Sequence, residues 1–251
     1  MNHINSAGSD VYYFPLRRQH LYLLLAAMIT VDALLIAANF SFALKWHIVP
    51  HFLKEQLNMD REAVFGAWYP SMLLFTLAVL ALFNYNSDMT RGHGWWARGW
   101  LGIFLVTLML SADEVSAIHE RIGIWFGEKI GGIDFLPQAY AWVLFFAPFM
   151  VAVVIFYLLF FIRRFRHSPL SRNLTIAGTL LWCNAVLFEA LANILFNTNT
   201  INLERAIEES SELLGTTLFV IAFALTAMES QQHPKARAPV SIVHADPAHQ
   251  N

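Results

Sequence analysis

Asp113, Glu114, His119 and Glu120 fall within eight consecutive residues, directly after the apolar run "WLGIFLVTLML" and with no loop signal between them. Carboxylates with one imidazole are ligands for iron, manganese, zinc or calcium rather than copper(I). The same groups inside a membrane also make proton relays. Further along, Glu189, Asn193 and Asn197 recur at a spacing of four. So do Glu204, Glu208 and Glu212, with Glu209 beside them. Residues so spaced share one face of a helix. Asp32 and Asn39 add isolated polar groups to an apolar stretch.

These groups need elements to hold them, and the composition says which. The chain has 251 residues, of which 57% are hydrophobic and 14% charged, with a net charge of −2. Soluble domains average about 25% charged residues, so lipid is the expected solvent, and nothing points to nucleic acid. The single cysteine, Cys183, excludes an intrachain disulfide and any multi-cysteine metal site. No cleavable leader is read at the start.

A helix needs about 20 residues to cross the hydrocarbon core. Six segments qualify: Leu21–Leu44, Ala67–Asn86, Trp96–His119, Tyr140–Ile162, Asn173–Phe196 and Ile207–Met228. The fold class expected is therefore all-α, a polytopic six-helix bundle over residues 19–229. A polar tail over 1–18 and a disordered tail over 230–251 flank it. The connectors Lys45–Gly66 and Glu120–Ala139 contain apolar residues and read as short pieces along the interface. Arg163, Arg164, Arg166 and Arg172 crowd one connector, and Arg17, Arg18, Arg91, Arg98, Lys235 and Arg237 fall on the same side. The positive-inside rule then places both termini in the cytoplasm, and the expected location is the inner (plasma) membrane.

Counting about 20 residues from these basic borders brings Asp113, Glu114, Glu189 and Glu212 into the outer half of the membrane. His119, Glu120, Glu208 and Glu209 lie near its rim, and Asp32 near mid-depth. Three helices thus present acidic residues at one depth. Each ionised carboxylate there costs roughly 2.5–3.5 kcal/mol on insertion scales. Several together must be protonated, paired or neutralised by a cation. A divalent metal ion held by His119, Glu120, Glu208, Glu209 and Glu212 would do this, with Asp113, Glu114 and Glu189 as bases or supporting groups. Asp32, Asn39 and Asn193 would extend the polar site. The plainer reading is a hydrogen-bonded rim that uses Arg121 and Arg205.

Several sites of known pattern are not present. Di-iron bundles use Glu-x-x-His twice, and here Ser116 stands three residues before His119. No HExxH occurs. The histidines His20, His47, His51, His93 and His167 fall at or beyond helix ends, so a haem held between helices is not expected.

The run "LSADEVSAIHE" resembles a segment of uncharacterised bacterial multi-spanning proteins with an L-S-x-D-E-x4-H-E pattern. That resemblance implies a shared site at Asp113, Glu114, His119 and Glu120, and no particular reaction. Three functions are compatible with the residues. One is a metal-dependent membrane enzyme acting on a lipid-like substrate. The others are a cation- or proton-coupled transporter using the same acids, and an accessory subunit of a membrane complex.

Overall fold

The computed structural model describes residues 18–46, 49–61, 64–130, 141–195 and 200–232. All regular structure among them is helical: α1 (Arg18–Ala43), α2 (His51–Lys54), α3 (Phe65–Thr90), α4 (Gly94–Ser116), α5 (Ile118–Lys129), α6 (Ala141–Arg164), α7 (Pro169–Leu195) and α8 (Ile201–Gln232). Six of these are long and apolar enough to cross a membrane: α1, α3, α4, α6, α7 and α8. Helices suit that solvent because every backbone polar group inside them is satisfied without water. The predicted tail 1–18 lies outside the described residues except for Arg18, and α8 runs on to Gln232 before the remainder, 233–251, also lies outside.

One expectation is corrected. The segment Trp96–His119 is not a single helix. It breaks at Ala117, whose φ of 44° and ψ of 47° are left-handed. A non-glycine residue there costs roughly 1–2 kcal/mol, so its surroundings must hold it. Beyond the break, α5 carries His119 and Glu120 on a separate short helix. Asp113 and Glu120 therefore do not share a helix face, and Glu120 is exposed.

The bundle is organised around α8. Of its most apolar stretch 72% is buried, against 11% for α6. It packs on α7, α3 and α1. The α7–α8 crossing brings backbones together at Gly178 and Gly215. A Cβ on Gly178 would lie 2.9 Å from the Gly215 carbonyl oxygen, and one on Gly215 would lie 2.6 Å from the Trp182 ring. The α3–α4 pair is pinned by small hydroxyls: Ser71 Oγ donates to the Ser111 carbonyl (2.7 Å), and Ser111 Oγ to that of Ser71 (2.9 Å). On α6, by contrast, Phe149, Val151 and Ile155 are exposed, as suits a lipid-facing helix.

At the end of the bundle where α3 turns into α4, Asp88 of α3 is fully enclosed. Arg164 grips it with two bonds, Nε–Oδ2 at 2.9 Å and Nη2–Oδ1 at 2.8 Å. Trp100 Nε1 donates to Oδ2 at 2.8 Å. The Trp100 ring packs edge-on against Phe223 (4.9 Å) and Phe160 (5.3 Å). A bidentate pair in this setting ties α3, α4 and α6 together, and removing one partner strands the other charge. Asp88→Asn is expected to destabilise the protein by about 3–5 kcal/mol, read as a fall in melting temperature in detergent. Replacing both members with apolar residues (Asp88→Leu with Arg164→Met) should recover part of the loss. A melting temperature unmoved by Asp88→Asn would contradict this role.

Candidate functional site

The site begins at the Ala117 break. Because α4 stops there, the Asp113 side chain reaches past its own helix end into the first turn of α5. Asp113 Oδ1 accepts the His119 backbone N–H at 2.8 Å, and Oδ2 lies 2.6 Å from His119 Nδ1. The Ala117 N–H donates to the Asp113 backbone carbonyl at 2.7 Å. One residue thus satisfies donors on both sides of the break, which accounts for the tolerance of the left-handed alanine. Burial disfavours the imidazolium of His119. The hydrogen bond and charge of Asp113, with Glu189 and Glu120 contributing, outweigh that and push its pKa up to about 9.

Helices α6 and α7 meet this clasp through an indole. Trp142 Nε1 donates to Glu189 Oε1 at 2.7 Å, and the ring stands edge-on to His119 with centroids 4.8 Å apart. Glu189 itself is buried. Trp142, at the start of α6, was not singled out among the sequence candidates. As one more aromatic at a membrane border it carried no signal of its contact with Glu189.

Helix α8 supplies the rest. Trp182 Nε1 donates to the Glu212 carbonyl (3.3 Å) and to Thr216 Oγ1 (3.2 Å), fixing that turn against α7 beside Gly215. Glu212 lies within electrostatic range of His119 and Asp113. Glu114 and Glu189 each sense both Glu212 and His119. Glu208 senses Glu189, Glu212 and Glu209, and Glu209 senses Glu212, Glu114 and Glu189. Carboxylates of α4, α7 and α8 therefore influence one another through space. The basic group among the neighbours of Glu114, Glu189 and Glu212 is His119. Even so, no three His, Cys, Asp or Glu side chains among the described residues come together as a group able to hold a metal ion.

The remaining candidates are placed elsewhere. Asp32 accepts from Tyr69 Oη (2.8 Å) and Thr217 Oγ1 (2.7 Å), joining α1, α3 and α8. Asn39 donates to the Leu35 and Leu57 carbonyls (both 2.9 Å) and accepts the Met59 N–H (3.2 Å), so it staples the α2–α3 connector to α1. The side chain of Asn193 lies outside the described residues. Arg205, one of the two expected rim cations, bonds Asp60 through Nη1 at 2.6 Å, while Arg121 is exposed. Sequence reasoning also gave Glu204 no role. It is fully enclosed, and the signal lay in the four-residue spacing that links it to Glu208.

A family model described as "Domain of unknown function (DUF8692)" matches residues 21–227. No curated protein and no solved structure matches the chain.

His119 gives the site a pH signature. A raised histidine value adds stability that is fully present below the ordinary value of 6.5 and is lost as pH rises through about 9. The melting temperature in detergent is expected to fall across that window. In Asp113→Asn the fall should flatten, because the neutral amide no longer favours the imidazolium. A profile identical to wild type in Asp113→Asn would contradict a charged clasp.

Proposed function

Because the chain belongs to the DUF8692 family, whose description assigns no activity, we propose its role from the site alone: a cation- or proton-coupled membrane transporter. Glu114, Glu189, Glu208, Glu209 and Glu212 act in it as one proton-exchanging carboxylate cluster of the outer half. The observation that carries this reading is the imbalance of charge. Acids from α4, α7 and α8 sense one another, and the shared basic partner is His119, already bonded to Asp113. Ionised carboxylates in a poorly solvated site repel, and the least costly remedy is to hold protons or a cation. A group that must hold protons in one setting and release them in another is what coupling to a proton gradient requires.

In this reading each chain residue has a definite part. Trp142 orients Glu189 and seats His119 by ring contact. The Asp113–His119 clasp supplies the fixed positive charge that keeps some of the glutamates ionised, so the cluster exchanges protons instead of holding them all. The Ala117 break ends α4 where Asp113 can bond the first turn of α5, so the clasp is set by the fold. Both termini lie in the cytoplasm and the chain sits in the inner membrane, in keeping with the basic α6–α7 connector.

A second reading, a metal-dependent enzyme acting on a lipid-like substrate, draws support from one feature. A groove of about 330 Å³, lined by Val64, Phe65, Trp68 and Val115 among others, opens between the α2–α3 connector, α3 and α4. An acyl group would enter there from the bilayer. Such an enzyme would use His119, Glu120, Glu208, Glu209 and Glu212 toward a divalent ion.

Reconstitution into liposomes with an imposed pH gradient separates the readings. Wild-type protein is expected to pass protons, and Glu212→Gln to lose at least about tenfold of the rate, the equivalent of about 1.4 kcal/mol. Flux equal in wild type, Glu212→Gln and Glu114→Gln would end the transport reading.

A further inference from the structure

Glu204 stands apart from the other acids. It is 0% exposed; neither carboxylate oxygen is met by an amide, hydroxyl or cationic donor among the described residues, and its side chain is within hydrogen-bonding reach of the Glu208 carboxyl. A lone ionised carboxylate in such a place is too costly to keep, because burial without pairing forfeits its hydration. The groups that face it are few. Glu208, one helical turn further along α8, lies within electrostatic range, as do Arg205 of the same helix and Asp60 of the α2–α3 connector. The Arg205 guanidinium bonds Asp60, so those two charges largely offset each other. What remains beside Glu204 is a second carboxyl group. Two carboxyls in contact are least costly when they hold one proton between them: one donates, the other accepts, and a single negative charge is spread over four oxygens.

We propose that Glu204 and Glu208 share one proton and form the outermost proton-binding site of this chain. The pair lies one turn outward of Glu212 along α8, with Glu208 in electrostatic reach of Glu189 and Glu212. A proton taken from outside water converts the two carboxylates to the shared form. Its onward transfer to Glu212 restores them, with no other species consumed. Glu204 thereby gains a role as the first acceptor, with the bonded Asp60–Arg205 pair within electrostatic range of it. The onward step rests on the transport reading above; the shared proton does not.

Infrared spectroscopy of the full-length protein in detergent at neutral pH tests the pair. A proton shared between two carboxyls gives a broadened, lowered C=O band that moves in D2O. That band is expected in wild type. It should be lost in Glu204→Gln and in Glu208→Gln alike, because it needs both groups. Its absence from wild type, or its survival in either variant, would overturn the proposal. The wild-type spectrum decides by itself should a variant fail to fold. Liposome flux on the same wild-type preparation separates the two claims. The band without flux leaves the pair standing and removes transport, whereas flux without the band removes the pair alone.

Discussion

A charge inside a membrane must find a partner, and in this bundle the two ends answer that demand differently. At one end Asp88 is met by Arg164 and Trp100, so the charge is closed off and the contact fastens α3, α4 and α6. At the other, Asp113 is spent on His119 and on the Ala117 break, and the glutamates of α4, α7 and α8 are left with more negative than positive neighbours. The first arrangement makes a rigid foot. In the proposed reading, the second makes a site whose charge depends on what it takes up from water.

Helix α8 joins the two. Its far half packs Phe223 against Trp100, and its near half carries Glu204, Glu208, Glu209 and Glu212. Gly215 lies between, pressed on Gly178, with Trp182 bonded to the turn that carries Glu212. Close backbone contact of this kind allows little slack. Asp32 adds a brace by bonding Thr217 and Tyr69. The result is a firm frame around acidic side chains, with the left-handed α4–α5 break at its edge.

Much of this was legible in the residues. Apolar length identified the six crossing helices, and the four-residue spacing in "LERAIEESSELL" put Glu204, Glu208 and Glu212 on one face. The break at Ala117 was hidden because nothing in "VSAIHE" is a glycine or a proline; its cause is a side chain, Asp113, that bonds the next helix. Asp32 and Asn39 read as candidates for the site, yet each is satisfied by hydrogen bonds that only the packing reveals. Asp88 escaped notice for the converse reason. Its partner Arg164 lies 76 residues away, a distance no local pattern bridges. The same holds for Trp142 and Glu189, 47 residues apart.

That the α8 glutamates are neutralised by exchangeable protons is the claim on which the functional reading turns. Potentiometric titration of the purified protein in detergent, upward from neutral pH, measures it directly when compared with a Glu208→Gln/Glu209→Gln/Glu212→Gln variant. Wild type is expected to release more protons than the variant, the excess coming from those three carboxyl groups. Equal release from both proteins would mean that the carboxylates were already ionised and neutralised by something other than protons, and would contradict the proposed exchange.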